Sequence, residues 1–334
     1  GEAELWRRLG HDLGLLGLPF AEEEGGLGCG PVENMVVMEE LGAALVAEPF
    51  LEGVLVPSRL LRAADAELAR PVVRATIEGS AIAVLAHAEA ATNANLADVQ
   101  MVATRLSDGR FRLSGQKVVV VGAPQAKYLI VSARTSGNRG DAAGISLFLL
   151  EAARPGIEQR TYRTIDGSHA ADILLTGVEA SAAEMIGREG EALPLIEEAV
   201  DVGIAAVCAE AAGVMRELLG QTLDYAMERR QGGRPLSEYQ VLQHRMVDMM
   251  ILTQQARAMA HVAANKLLAE PQERAMAVSA AKAYVGRAAR KVGQAAIQIH
   301  GAMGMTDESP VGRLFRRATA IEGQFASVDD HIAR

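Results

Sequence analysis

The segment Gln298-Ile299-His300-Gly301-Ala302-Met303-Gly304 closes a long stretch, residues 278–299, that is rich in alanine and valine. Alanine loses no side-chain entropy in a helix, so the stretch predicts a helix that ends at this segment. Glycine at a helix end permits a left-handed turn, which is a purely structural explanation of Gly301. Glycine also lets backbone N–H groups approach phosphate oxygens without a side chain in the way. The segment therefore predicts a helix end and leaves open whether this end binds a phosphate-containing ligand.

Helical periodicity extends over the C-terminal part of the chain. Apolar or small residues recur at steps of three and four, at Leu242, Met246, Met249, Thr253, Ala256 and Ala260. Several long helices of this kind pack as a bundle. We therefore predict a four-helix bundle over residues 183–334.

Residues 83–182 have a different pattern, with short alternating or apolar runs separated by turns. Residues 99–106 alternate like a strand, and Asp108-Gly109 is typical of a tight hairpin. Similar runs follow at roughly one per dozen residues, a spacing that favours an antiparallel β-barrel or sandwich. No strand is followed by G-x-G-x-x-G, which argues against a Rossmann dinucleotide-binding domain.

Residues 1–82 return to a helical pattern. Leu5, Leu9, Leu13 and Leu16 recur at helical spacing, and a glycine-rich break at residues 25–31 separates them from the next helix. A third helix is predicted from Val54 to Leu68. The predicted fold is multi-domain α+β. It has an N-terminal helical domain (1–82), a middle β domain (83–182) and a C-terminal bundle (183–334).

Composition and charge exclude several classes of protein. The net charge is −9, and no long basic run or basic–aromatic stripe is present, which argues against nucleic-acid binding. Cys29 and Cys208 are far apart in sequence and form no metal-spaced pair, and the histidines do not cluster, so no metal site is predicted. No secretory signal or membrane-spanning run is apparent, so we expect a cytoplasmic protein without membrane insertion.

Several short motifs occur in a characteristic order along the chain. They lie at residues 15–19, 24–28 and 38–42, at Gly115-Gln116-Lys117, at residues 228–233 with Gln240, at residues 298–304 and at residues 310–316. Each motif alone is a weak signal, but all of them in this order and at these gaps are specific. Together with the helix–barrel–bundle architecture, they resemble the acyl-CoA dehydrogenase family over essentially the whole chain.

The resemblance implies FAD as the cofactor and an acyl-CoA thioester as the substrate. In the family, a carboxylate removes the α-proton while FAD accepts the β-hydrogen as hydride, and hydrogen bonds to the thioester oxygen stabilise the transition state. An electron-transfer flavoprotein is the implied electron acceptor. The resemblance also implies a set of residues that hold the adenosine and pyrophosphate half of the flavin: Arg229, Gln231, Gln240, Gln298, Gly301, Ala302 and Gly304.

The catalytic base is where the chain departs from the family. Most members carry the base in a Tyr-Glu-Gly-Thr stretch, and an alignment without gaps from Pro310 places Phe325 at that glutamate. A one-residue shift places Ala326 there, and a three-residue slip would place Glu322 there. Three residues rotate a helical side chain by about 300°, which makes such a slip costly. Some members carry the base on the first bundle helix, where Asp201 lies close to the equivalent position.

Residues that surround the flavin ring in the family are also replaced. The Trp-Ile-Thr or Trp-Ile-Ser triplet reads Val119-Val120-Val121, and Thr-Glu-Pro reads Ala88-Glu89-Ala90. The loop at residues 92–95 lacks the usual Gly-Ser, and the phenylalanine of R-x-Q-F-G is Gly232. The chain therefore resembles the degenerate partner subunit of two-gene complexes, such as small subunits described as pimeloyl-CoA dehydrogenase-like.

Three functions follow from these observations. The first is a subunit of a hetero-oligomeric acyl-CoA dehydrogenase, in a tetramer with a paralogous subunit that supplies the catalytic glutamate. The second is a self-sufficient homotetrameric dehydrogenase that uses Glu322. The third is a non-catalytic scaffold with the same fold, and an oxidase or monooxygenase on this fold is a further alternative.

Overall fold

A computed structural model describes residues 2–90, 94–306 and 309–334. The chain divides into two compact units, of which unit 1 comprises residues 1–30 and 47–203, and unit 2 comprises residues 31–46 and 204–334. Thr92 and Asn93, in the loop that lacks the family's usual Gly-Ser, lie outside the described residues. None of the described helices combines the length and the apolar character needed to cross a membrane.

Helices dominate both ends of the chain. They are α1 Glu2–His11, α2 Pro31–Ala43, α3 Val56–Leu61, α4 Ala66–Ile77, α5 Leu193–Glu228, α6 Gln240–Lys266, α7 Pro271–His300, α8 Pro310–Gly323 and α9 Val328–Ala333. In unit 1, the predicted Leu5–Leu16 periodicity is only partly helical, because α1 ends at His11 and only Leu9 and Leu16 of the four leucines are buried. A π-helical turn, Leu51–Leu55, precedes α3.

The middle of unit 1 is an eight-stranded sheet. Its strands are β1 Ala83–Ala86, β2 Val102–Arg105, β3 Phe111–Val121, β4 Tyr128–Arg134, β5 Ile145–Glu151, β6 Ile157–Arg163, β7 His169–Ala180 and β8 Met185–Ile186. The strand order is β6-β7-β3-β2-β4-β5-β8, with β1 beside β4. Most pairs are antiparallel, as predicted, but β4 pairs in parallel with both β1 and β2. Phe111, Leu113 and Phe148 are fully buried in its core.

Unit 2 contains α2, most of α5 and all of α6 to α9. The face of α6 predicted from periodicity is buried at Met246, Met249, Thr253, Ala256 and Ala260. The long helices α5, α6 and α7 and the shorter α8 form the C-terminal helical part, which agrees with the predicted architecture.

Helices α2 and α5 of unit 2 approach until their backbones touch. A Cβ atom at Gly213 would lie 1.8 Å from the carbonyl oxygen of Glu39, and one at Gly42 would lie 2.2 Å from the carbonyl oxygen of Glu210. Ion pairs surround this crossing. The buried carboxylate of Glu39 accepts hydrogen bonds from Arg216 at 2.8 Å and from Arg257 at 3.1 Å. The crossing therefore needs glycine at both positions.

We expect Gly213→Ala to lower the free energy of unfolding by about 1–3 kcal/mol or more, because the new methyl group meets a backbone carbonyl that cannot move aside. Gly220→Ala is a matched control on the same helix, since a Cβ atom there meets open space. The free energy of unfolding of the control variant should rise by about 0.5–1 kcal/mol, because alanine has a higher helix propensity than glycine. Urea unfolding measures the free energy of unfolding of both variants. An equal change in the two variants would show that the helices do not approach closely at Gly213.

Candidate functional site

The first part of the candidate site is a hairpin at the end of α5, in unit 2. Strand β9 Arg230–Gln231 pairs with β10 Arg234–Pro235. Gly232 and Gly233 join them with φ angles of 61° and 85°. Two left-handed residues in a two-residue loop are the signature of a type I′ turn. A Cβ atom at Gly232 would lie 2.7 Å from the hydroxyl oxygen of Tyr239, so a phenylalanine at this position would have to displace the Tyr239 side chain and adopt a left-handed backbone.

The second part is the 298–304 loop. Helix α7 ends at His300, as predicted, and Gly301 follows with φ 59° and ψ −137°, a conformation that side chains disfavour. The position of a Cβ atom on Gly301 is open to solvent, so its glycine is required by the backbone angle. Gly304 is buried, and its Cβ position lies 3.0 Å from Cβ of His300. Packing therefore accounts for Gly304, whereas Gly301 and Ala302 are exposed on the surface.

A tyrosine brings these two parts together. The ring of Tyr225 stacks on His300 with a centroid separation of 4.4 Å, and its hydroxyl donates to the His300 carbonyl at 3.5 Å. Arg229 lies one helical turn beyond Tyr225, so it lies at the same end of the bundle as the loop. No sequence motif identifies Tyr225, and its position on the same helix face as Arg229 is the signal that could have found it.

The groups at this end of the bundle suit an anionic dinucleotide. The side chains of Arg229, Gln231, Gln240 and Gln298 are all exposed. Arg229 and Arg230 pair with no carboxylate among residues 2–90, 94–306 and 309–334. A free guanidinium can bind a pyrophosphate oxygen pair in a bidentate manner, and amide side chains can bind ribose or adenine. The residues that are present therefore fit the adenosine and pyrophosphate half of FAD.

Glu322, a sequence candidate for the catalytic base, lies in the last turn of α8. Its carboxylate accepts two hydrogen bonds from Arg290, one of them 2.7 Å long from Nε. Only 14% of the side chain is exposed. A base at this position would have to leave this bidentate pair before it could take a proton. Asp201, the other candidate, is buried in the part of α5 that belongs to unit 1.

The turn after α8 has an unusual backbone. Phe325 and Ala326 have φ angles of 58° and 85°, and left-handed backbone costs a residue with a side chain about 1–2 kcal/mol. The buried Lys282 ammonium donates to the carbonyl oxygens of Glu322 at 2.9 Å and Ala326 at 3.4 Å. His331 Nε2 donates to the Phe325 carbonyl at 2.8 Å. These bonds hold the strained turn, and burial lowers the pKa of both Lys282 and His331.

In the β domain, two motif residues form a buried ion pair. Lys117 Nζ lies 2.6 Å from Glu89 Oε1, and the two side chains are 0% and 5% exposed. Glu89 also accepts from the backbone N–H groups of Gln100 at 2.8 Å and Met101 at 3.1 Å. Burial lowers the pKa of Lys117 to about 8. The pair connects the segment after β1 to β3, so these residues serve the structure of the sheet.

The next residues of β3 form a bulge. Val119 has a φ of 52° at a shift in the pairing of β3 with β7. Its backbone N–H donates to Asp172 Oδ1 at 3.1 Å, and Tyr162 donates to the same oxygen at 2.7 Å. A left-handed β-branched residue is a genuine outlier, so sequence pattern could not predict this bulge. The resemblance to the family aligns Val119 with the first position of the Trp-Ile-Thr triplet.

Models of known protein families match the chain and identify the family to which it belongs. The family models for the acyl-CoA dehydrogenase N-terminal, middle and C-terminal domains match residues 1–80, 84–178 and 192–323. The chain belongs to the acyl-CoA dehydrogenase family. The predicted FAD-dependent oxidoreductase family and the three-part fold are thereby confirmed.

Individual acyl-CoA dehydrogenases are distant in sequence but similar in structure. A mitochondrial 2-methylacyl-CoA dehydrogenase of Solanum tuberosum is 27% identical over 332 residues, which cover 96% of this chain and 78% of that protein. Butyryl-CoA dehydrogenase from Megasphaera elsdenii has a TM-score of 0.89 at 24% identity, covering 99% of this chain and 87% of that one. A chain in the ChsE4-ChsE5 complex from Mycobacterium tuberculosis has a TM-score of 0.88 at 26% identity, covering 99% and 86%.

The β domain of this acyl-CoA dehydrogenase family member also contains a histidine with a strongly shifted pKa. His87 Nδ1 lies 2.9 Å from Ser132 Oγ, and burial together with the nearby Lys117 ammonium lowers its pKa to about 3. In the unfolded chain a histidine titrates near pH 6.5, so the unfolded state binds more protons between about pH 3 and 6.5. Stability therefore falls as the pH falls through this window.

We expect the wild-type protein to lose about 2 kcal/mol more stability than His87→Gln when the pH is lowered from 7 to 5. Glutamine keeps a hydrogen-bonding group near Ser132 but does not titrate. His11→Gln serves as a control, because the His11 side chain is 89% exposed. Denaturant unfolding at both pH values measures the difference. Parallel loss in the wild-type protein and both variants would contradict the assigned pKa.

Proposed function

We propose that this chain is one subunit of a hetero-oligomeric, FAD-dependent acyl-CoA dehydrogenase whose paralogous partner supplies the catalytic glutamate. The observation that carries the proposal is the left-handed backbone of Ala326, with φ 85°. In the alignment without gaps, Ala326 takes the place of glycine in the family's Tyr-Glu-Gly-Thr. A glycine-like backbone at this position supports that alignment, which places Phe325 where the base would be.

The structure gives less support to the alternative alignment, in which a three-residue slip places Glu322 at the position of the base. A three-residue slip would place Gly323 at the family's glycine, but Gly323 is the last residue of helix α8 and its φ is not positive. The same slip requires Glu322 as the base, although its carboxylate is paired with Arg290. Phe325 cannot accept a proton, so a carboxylate from another chain must take the α-proton in this proposal.

The retained residues support a role in holding the cofactor. Arg229, Gln231, Gln240, Gln298, Gly301 and Ala302 are exposed, and the Tyr225–His300 stack places the two segments that carry them at one end of the bundle. The guanidinium of Arg229 would neutralise pyrophosphate, and the amides would orient the adenosine. When bound, FAD supplies the hydride acceptor. We further propose that an electron-transfer flavoprotein reoxidises the flavin.

The compartment is part of the same proposal. Cys29 and Cys208 are both free thiols, which suits a reducing compartment. We propose the cytoplasm on this basis.

Expression of the chain alone and together with a neighbouring family gene tests the proposal. The lone chain should contain little FAD and should not dehydrogenate acyl-CoA thioesters, whereas the complex should be yellow and active. Full flavin loading and turnover by the lone chain would favour the self-sufficient enzyme. A complex without flavin and without a spectral response to acyl-CoA would favour the non-catalytic scaffold.

A further inference from the structure

One arginine of the hairpin at the end of α5 is stacked on an aromatic ring. The guanidinium carbon of Arg234 lies 4.0 Å from the centroid of the Tyr239 ring. At this separation the planar guanidinium and the ring are in van der Waals contact. The side chain of Arg234 is exposed. One face of its guanidinium is therefore covered by the tyrosine, whereas the opposite face is open to solvent.

The ring of Tyr239 is fixed at both of its ends. Its backbone forms the N-cap of α6, and its hydroxyl donates to the carbonyl oxygen of Gln231 at 2.7 Å. Glycine at position 232 makes room for this arrangement, since a Cβ atom there would lie 2.7 Å from the hydroxyl oxygen. The chain thus lacks the phenylalanine of the family motif but places a different aromatic ring at the same turn. That ring holds the long Arg234 side chain in one orientation, which reduces the entropy that binding a ligand would cost.

The stacked arginine lies between two amides that the proposed function assigns to the cofactor. Arg234 pairs directly with Gln231 across the two strands of the hairpin, so both side chains lie on the same face. Gln240 follows Tyr239 at the start of α6. In the part of the chain that the structure describes, Arg234 has no carboxylate partner. The hairpin therefore presents a planar cation whose open face is flanked by hydrogen-bonding groups.

We infer that the open face of the Arg234 guanidinium is the surface on which the adenine ring of FAD stacks. This inference rests on the proposed function, which places the adenosine half of FAD at this end of the bundle. Nucleobases stack on guanidinium planes, and the amides of Gln231 and Gln240 suit the edge of adenine, where a donor lies next to an acceptor. Arg229 remains available for the pyrophosphate. Tyr239 is a positioning residue, because it acts on the adenine only through Arg234.

Fluorescence titration of FAD into the flavin-depleted complex tests the inference with two substitutions. Arg234→Lys keeps the charge but removes the plane, so the dissociation constant of FAD should rise about tenfold, as for the loss of one base-stacking contact. Arg234→Trp removes the charge but keeps a planar face, so its dissociation constant should stay within about threefold of the wild-type value. Arg230→Lys is the matched control and should leave the constant unchanged, because Arg230 is an exposed arginine on the opposite strand of the same hairpin.

A third substitution tests the support beneath the guanidinium. Tyr239→Leu should weaken FAD binding as much as Arg234→Lys does, and the double variant should lose no more affinity than either single variant. Additive losses would show that Tyr239 acts independently of Arg234 and would overturn its positioning role. The thermal transition of each variant, measured without FAD, shows whether the bundle is still folded.

The outcomes separate this inference from the proposed function. Unchanged FAD affinity in Arg234→Lys would overturn the inference, even if the complex contains flavin and is active. Equal losses in Arg234→Lys and Arg234→Trp would also overturn it, because they would show that the N–H groups of the guanidinium bind the cofactor rather than its plane. If the lone chain is loaded with FAD and turns over, the proposed partner subunit fails, but the same titration of the lone chain still tests Arg234.

Discussion

Replacing Arg229 with alanine should weaken FAD binding to the complex by about ten- to a hundredfold, because a charge-assisted hydrogen-bonded contact is worth about 1.5–3 kcal/mol. The guanidinium is exposed and has no carboxylate partner among the residues that the structure describes, so no internal ion pair is lost with it. Arg229→Lys should have an intermediate effect, since lysine keeps the charge but not the bidentate geometry.

Fluorescence titration of FAD into the flavin-depleted complex measures the effect. Arg287→Ala is the matched control, because Arg287 is also exposed but lies near the middle of α7 (Pro271–His300) rather than beside the hairpin. Equal affinities for Arg229→Ala and the wild-type complex would remove Arg229 from the cofactor site. Equal losses in Arg229→Ala and Arg287→Ala would point to net charge rather than to a specific contact.

Replacing Lys117 with alanine should lower the free energy of unfolding by about 3–5 kcal/mol, the cost of removing one member of a buried ion pair. Glu89 would keep its two backbone donors but lose the ammonium 2.6 Å away, in a site where its side chain is 5% exposed. The double variant Glu89→Gln/Lys117→Met removes both charges and should be more stable than Lys117→Ala.

Chemical denaturation measures these variants, and an exposed ion pair provides the control. Arg74 pairs with Glu78 at 2.8 Å, with side chains 80% and 52% exposed, so Arg74→Ala should lower the free energy of unfolding far less than Lys117→Ala does. A double variant that is less stable than Lys117→Ala would show that the polar contacts of the Glu89 carboxylate contribute more to stability than the loss of the Lys117 ammonium costs.

Local periodicity was sufficient to predict much of the helical structure. The spacing of Met246, Met249 and Thr253 identified the buried face of α6, and the glycine after His300 identified the end of α7. The predicted third helix, from residue 54 to 68, was only partly right. The chain instead forms the π-helical turn, then α3, and starts α4 at Ala66. Pro57, which has no N–H to donate, lies at the start of α3 just after that turn.

Long-range contacts account for what the sequence did not predict. The parallel pairing of β4 with β1 and β2 depends on chain topology, which alternation within a strand does not encode. Phe325 and Ala326 have left-handed backbones, which residues with side chains disfavour. Hydrogen bonds hold this turn, one from Lys282, which lies 44 residues before Ala326, and one from His331, which lies 6 residues after Phe325. The Arg290–Glu322 pair likewise joins α7 to α8 across 32 residues.

Two glutamate substitutions in the purified, flavin-loaded complex show most directly which chain removes the proton, when steady-state dehydrogenation of an acyl-CoA is measured for each. Glu322→Gln in this chain should leave kcat within about twofold of the wild-type value, since the carboxylate is engaged with Arg290. Replacing the partner's catalytic glutamate with glutamine should reduce kcat by about a hundredfold or more, as expected for loss of a general base. Loss of turnover in Glu322→Gln with retained flavin would contradict the proposed function and identify this chain as the one that removes the proton.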